Sequence, residues 1–253
     1  MIFAAQSRRF WLLTFAALLT AGITFSLGHW QLRRAAQKEA VQAKIQVKNT
    51  LPTLDTWALA ATNNIANELH RKASVVGVWQ PAHTVYLDNR PMGGRTGFWV
   101  LTPLALQGGN RVVLVQRGWA PRDFNDRTRL PQVFTPVGPV AVEGRIAPPP
   151  AKLYAFKGVD SGPIRQNLDL NDFRTETGLP LMEAALLQTG PPGDGLLRDW
   201  VPANQGVDKH YGYAFQWFSL CALVVGLYAW FQLALPVRIH LRARRRDPID
   251  PMP

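Results

Sequence analysis

Two stretches of this chain run uncharged for longer than most soluble helices allow. From Phe10 to Trp30, 21 residues pass without Lys, Arg, Asp or Glu, and from Tyr211 to Val237 another 27 do so. About 20 apolar residues span the hydrocarbon core of a bilayer as a helix. Both runs reach that length, so we read two transmembrane helices, roughly 10–30 and 212–235. Pro236 ends the second or sits in its last turn. Trp11, Trp30, Tyr211, Tyr213, Tyr228 and Trp230 stand near the ends, where amphipathic rings favour the membrane interface. A cleaved signal peptide is the competing reading of the first run, and Ser7-Arg8-Arg9 has a twin-arginine flavour. The run exceeds a usual signal core, and Leu27-Gly28-His29-Trp30 is a poor cleavage site, so an uncleaved anchor is expected.

Orientation follows from the basic residues near the ends. Arg238, Arg242, Arg244, Arg245 and Arg246 follow the second run, while only Lys209 closely precedes it. The first run is equivocal, with Arg8 and Arg9 before it and Arg33, Arg34, Lys38 and Lys44 after it. Two crossings return the chain to its starting side, so the second run decides. The expected layout is a cytoplasmic segment 1–9, a helix 10–30, an outward domain 31–209, a helix 210–236 and a basic cytoplasmic tail 237–253. The net charge of +11 then changes meaning. It would otherwise suggest a nucleic-acid partner. Here much of it marks topology or sits near anionic headgroups, so no nucleic acid is expected.

The outward segment is long enough for one domain. Nine Trp and twelve Phe exclude a disordered chain, and one cysteine excludes a disulfide scaffold or thiolate zinc site. Residues 31–48, rich in Ala, Gln and Lys, are expected to extend the first helix. Short β-rich runs follow at 72–78, 84–89, 97–106, 112–119 and 140–146, with Pro or Gly between them. Gly108-Gly109-Asn110 joins two of these as a hairpin turn would. Pro148-Pro149-Pro150 makes a stiff, extended break. Residues 169–177 read as a short helix with Asp169 as N-cap and Gly178 as stop. Residues 181–188 are ambiguous between helix and strand. The expected fold is a membrane protein in which two transmembrane α-helices flank a mostly antiparallel β, minor α, extracytoplasmic domain.

Local motifs for catalysis are missing. There is no Gly-x-Ser-x-Gly elbow, no phosphate loop and no Cys-x-x-Cys-His. Asp123 and Asp126 form an acidic pair, but Arg122, Arg127 and Arg129 surround them, as in a charged surface loop. No enzyme activity is expected. Two histidines stand at membrane boundaries: His29, leaving the first helix, and His210, entering the second. A neutral imidazole is a haem-iron ligand. Tyr213, Trp217 and Phe218 are placed to line a porphyrin cleft, and Lys209 or Arg33 to meet its propionates. The alternative is a solvated or headgroup-bound interfacial histidine. In the outer domain, Arg90, Arg95 and Arg117 read either as an anion-binding or partner-docking patch, or as arginines that satisfy loop carbonyls and stack on Trp99 and Trp119.

Taken in order, these stretches resemble the Surfeit locus protein 1 family, also called the Shy family. The resemblance lies in Gly28, Trp30, Gln31, Leu32 and Arg34 at the helix-one exit, and in Asn89-Arg90-Pro91. It continues through Val100-Leu101-Thr102-Pro103-Leu104 and through Arg117, Gly118, Trp119 and Pro121. It closes on His210, Tyr213, Ala214, Trp217 and Phe218 at the helix-two entry. It implies a non-catalytic assembly factor for haem-copper cytochrome c oxidase. That factor binds haem a and aids its insertion into the oxidase large subunit, with haem a synthase as a further partner. The alternative is a cofactor-free scaffold for oxidase subunits. The family's helix-two histidine falls on His210, so the implied cofactor site is His210, Tyr213 and Trp217. His29 occupies a variable motif position and gains no support. The start at Arg8-Arg9 without a long presequence points to a bacterial inner membrane, with both termini cytoplasmic and 31–209 periplasmic.

Overall fold

In the computed structural model, residues 8–153 and 162–238 are described. Arg242, Arg244, Arg245 and Arg246, on which the expected orientation leans together with Arg238, lie outside them. The chain divides into two compact units, residues 43–202 and residues up to 42 with those from 203 onward.

The elements run in this order. Helix α1 is Arg8–Asn49, and α2 is Thr56–Ala61. Strands follow at β1 (Lys72–Trp79), β2 (Val85–Met92), β3 (Arg95–Leu106), β4 (Val112–Pro121), β5 (Pro139–Ala147) and β6 (Ile164–Arg165). Helix α3 (Leu170–Thr177), strand β7 (Leu181–Gln188) and helix α4 (Val207–Tyr228) complete the chain, and a π-helical segment, Ala229–Ala234, prolongs α4. The first apolar run and residues 31–48 are therefore one continuous 42-residue helix.

In the unit of residues 43–202, strand order β1-β5-β7-β4-β3 is closed by a β1–β3 pairing into a five-stranded barrel, with β2 and β6 added beside β3. Closure works because β3 is twelve residues long and shares one edge between two partners. Its first half, from Arg95 to Leu101, pairs with β2, and Leu104 to Leu106 pair with β1. Pro103, which has no N–H to offer, falls at the changeover, and its carbonyl accepts from the Gln80 N–H. Pairings are antiparallel except β4–β7 and β2–β6.

The interior is fed by all five ring strands through period-two alternation. Val75 and Trp79 of β1, Leu104 and Leu106 of β3, Val113 and Val115 of β4, Val142 and Ile146 of β5, and Met182 and Leu186 of β7 meet there with Leu59 of α2. A second cluster covers the outside of β4: Val112 and Leu114 pack with Leu168, just before α3, and with Leu170 and Phe173 of α3. Buried on both faces, β4 and β7 read as near-continuous apolar runs. That resolves residues 181–188 as a strand. Helix α3 is capped as its sequence demands. The Asp169 carboxylate accepts from the N–H groups of Asn171 and Asp172, and Gly178 takes the left-handed stop at φ 67°.

Among the described residues, His70 is one of two non-glycine residues with positive φ, at 73°. It stands beside Lys44 and Lys48 in a groove floored by Val47 and Leu69. Burial, followed by the charges of Arg145, Lys44 and Lys48, lowers its pKa below 6.5. The unfolded chain therefore binds a proton that the folded one refuses. Stability from this group is complete above pH 6.5 and is lost as pH falls from there towards the folded-state value. Asn tolerates positive φ, so His70→Asn should flatten that acid slope without straining the backbone. Thermal melts between pH 7.5 and 5 would check this, and an unchanged slope would refute it.

In the second unit, α1 and α4 pack as an antiparallel pair. Covered positions of α1 include Thr14, Ala17, Ala21, Thr24, Gly28, Gln31, Ala35 and Lys38, spaced alternately by three and four. Those of α4 include Val207, His210, Ala214, Trp217, Cys221, Val224 and Tyr228, with the same spacing, and Phe218 beside them. This is the seam of a left-handed helix pair, built on the α1 side from small residues that allow close approach. Thr14 Oγ1 donates to the Phe10 carbonyl and so accepts from Tyr228 Oη at 2.8 Å. Cys221 Sγ meets the Ala21 carbonyl, and a Cβ at Gly28 would come within 2.8 Å of the Phe218 ring. Both helices are long and apolar enough to cross a membrane, and almost none of their apolar stretches is fully buried within the protein.

Candidate functional site at the head of the helix pair

The α1–α4 seam turns polar at one end. Gly206, at φ 77°, starts α4, and the Lys38 ammonium donates to the Gln205 carbonyl at 2.9 Å. One turn on, the His210 ring places Nδ1 2.7 Å from Gln31 Oε1. Tyr211 Oη donates to Glu39 at 3.0 Å. Arg34 and Lys38 lie close enough to act on the His210 ring electrostatically. A half-buried imidazole is thus held by a side chain from the other helix, among cations, at the start of an aromatic stretch.

The other expected residues distribute unevenly around it. Trp217 lies on the seam two turns below His210, half-buried. Tyr213 points off the seam and is 51% exposed. Phe218 fills the space left by Gly28 and meets Phe25 edge-on at 5.6 Å. His29 does not join the set. It is exposed, one residue beyond Gly28 and off the seam, because a step of one residue turns a helix side chain by about 100°. Gln31 belongs to the helix-one motif, and its type alone does not mark it as a site residue. The signal that could have found it is the three-four spacing of small residues in α1.

The three arginines of the barrel unit separate likewise. Arg90 is 2% exposed. Its guanidinium donates to the carbonyls of Ala151 and Gln166 and lies 4.7 Å from the Trp99 ring centre. Arg117 is 1% exposed. It donates to Thr135 Oγ1, the Phe134 carbonyl and Asp194 Oδ2, and stacks 4.6 Å from Trp79. Both satisfy loop groups inside the barrel unit. Arg95 is exposed and covers Trp119 at 5.4 Å.

Bulges explain these aims. The β3–β4 register slips between Val100 and Leu101, leaving Arg117 as the extra residue of β4. The β2–β3 register slips between Leu87 and Arg90, where Asn89 takes φ 58°. A bulge redirects the side chain next to it, and Asn is suited to the left-handed conformation. Asp123 and Asp126 shape their own turn, accepting from the N–H groups of Asn125 and Thr128. Among the described residues, no group of three His, Cys, Asp or Glu is placed to hold a metal ion.

Fold and site define a class: a closed β-barrel that falls in chain order between two long apolar helices, the helices paired antiparallel with a histidine held at the head of the pair. Comparison with known proteins gives that class a family. The SURF1 family model matches residues 18–222. A SURF1-like protein of Rickettsia bellii is 27% identical over 239 residues, covering 90% of this chain and 94% of the relative. One from Monosiga brevicollis is 26% identical across a 256-residue alignment that covers 95% of each. Surfeit locus protein 1 of Arabidopsis thaliana is 31% identical over 121 residues, 44% of this chain and 34% of the relative. The chain belongs to the SURF1 family.

Proposed function

We propose that this protein is an assembly factor for haem-copper cytochrome c oxidase that binds haem a at the head of the helix pair and aids its insertion into the large subunit. Family membership supports the assembly role. The observation that carries the haem reading is His210, held by one ring nitrogen against Gln31 beside Arg34 and Lys38. The donor set fits a haem bound through one protein ligand. His210 would offer a ring nitrogen to the iron, Trp217 and Tyr213 would supply apolar contact, and Arg33, Arg34 and Lys209 would supply cations for the propionates. A bound haem would supply an iron centre that takes an imidazole ligand. The chain's own task is to hold that ring at a fixed angle and release the cargo sideways to a partner. In this reading α1 and α4 cross a bacterial cytoplasmic membrane, both termini are cytoplasmic and residues 31–209 are periplasmic. The uncovered apolar helices and the Rickettsia relative support that setting.

The test is haem content. Full-length protein purified from cells that make haem a should show a Soret band, and His210→Ala should lose most of it. Equal haem in both would remove His210 as the ligand, and no haem in either would overturn the cofactor claim.

One observation favours a cofactor-free scaffold as the second reading. The connection between β4 and β5 carries exposed Phe124, Phe134 and Val137, and Arg95 is exposed as well. Apolar side chains left in solvent suit a protein partner. On that reading the oxidase large subunit should crosslink to this chain even in cells lacking haem a.

A further inference from the structure

We infer that Gln31 is a positioning residue: it fixes His210 as the Nδ1–H tautomer and so makes Nε2 the nitrogen presented to iron. The inference rests on the haem reading above and adds the atom and the residue that selects it. The amide oxygen of Gln31 has lone pairs only. At 2.7 Å from Nδ1 it tolerates a proton on that nitrogen and not a second lone pair. A neutral imidazole carries one N–H, so Nε2 is left bare. The other groups acting on the ring, Arg34 and Lys38, are donors only. Neither can take the Nδ1 proton in place of Gln31.

The seam explains why Gln31 can reach. It is flanked at the same interface by Gly28 and Ala35, both buried. Small neighbours bring the helix backbones close enough for a side-chain amide to span them. The arrangement is the one that metal-ligating histidines generally use. The distal N–H is given to an oxygen, which sets the tautomer, the ring plane and the basicity of the ligating nitrogen.

The experiment uses the full chain in lipid nanodiscs, labelled with 15N-histidine, first without haem. Long-range 1H–15N correlations should show His210 protonated at Nδ1 in the wild type. Gln31→Leu should lose that preference, and Gln31→Glu, which keeps an acceptor oxygen, should retain it. Haem a is then titrated into each. Losing such an outer partner generally weakens a metal site about 10–100-fold, so Gln31→Leu should bind that much more weakly. Gln31→Glu should bind within a few-fold of wild type, with a more negative iron midpoint potential because a carboxylate makes the imidazole more electron-rich. An Nε2–H ring in the wild type, or equal haem affinity in Gln31→Leu, would overturn the inference and leave the haem reading standing. An Nδ1–H ring in the wild type with no haem uptake by any variant would overturn the haem reading instead.

Discussion

Asp194→Ala is expected to destabilise the barrel unit by about 3–5 kcal/mol, the usual cost of removing one partner from a buried ion pair. The carboxylate stands between two guanidiniums. Oδ2 meets Arg117 at 3.1 Å and Oδ1 meets Arg198 at 2.7 Å. All three side chains are buried or nearly so, Arg117 most of all. Burial lowers the Arg117 pKa, and Asp194 is the main influence opposing it. An arginine does not shed its proton inside a protein. Without Asp194, two cations would therefore stay charged with only carbonyls and Thr135 Oγ1 around them. Arg117→Met should be milder, about 1–3 kcal/mol. It orphans the Phe134 carbonyl and Thr135 but leaves Asp194 closed on Arg198, with a thioether against Trp79. Urea titration of the detergent-solubilised full chain, followed by tryptophan fluorescence, would rank the two variants. If Asp194→Ala proved the milder, the claim that this carboxylate is what makes two buried cations tolerable would fail.

That cluster also marks where sequence reasoning stopped. Nothing local separates a buried arginine from an exposed one. Arg90, Arg95 and Arg117 share similar surroundings in the chain, and only the slips in register around Asn89 and Arg117 decide which of them turns inward. The strands were legible because alternation survives on β1, where Ala73, Val75 and Trp79 point in and Lys72, Ser74 and Val78 point out. It fails on β7, whose two faces are both covered, and there the sequence left helix and strand open. Closure of the barrel was out of reach, since it depends on β1 meeting β3 and on the parallel β4–β7 pair, neither of which has a local signature. Helix α2 escaped notice at six residues, despite its Asp55 cap.

At the helix pair, length and lack of charge gave both helices. The motif around His210 gave the residue but not its partner, because Gln31 lies 179 positions away. His29 drew attention by its type and its place at the helix end. The heptad spacing of Ala17, Ala21, Thr24, Gly28, Gln31 and Ala35 shows that it sits on the wrong face. Residue type told less here than periodicity did.

Trp119→Ala should cost about 3–5 kcal/mol from the cavity alone, and more because a hydrogen bond goes with the ring. Trp119 is fully buried, and its Nε1–H donates to the Arg90 carbonyl at 2.7 Å. Its backbone exchanges two hydrogen bonds with Leu197, at 2.7 and 2.8 Å. Trp119→Phe keeps most of the volume but removes the indole donor to the Arg90 carbonyl, so about 1–3 kcal/mol is expected. Gly97 adds a sharper test of the ring itself. A Cβ there would meet Trp119 Cζ2 at 2.5 Å and would also meet the Ala120 carbonyl. Gly97→Ala should therefore be destabilising in the wild type and less so in a Trp119→Ala background, where the indole no longer blocks the methyl. Denaturation midpoints of the two single variants and the double variant close that cycle. A double variant that loses the full sum would show that Gly97 is kept small by the Ala120 carbonyl and not by the indole. A double variant that loses much less than the sum, so that most of the Gly97→Ala effect disappears, would place the constraint on the ring.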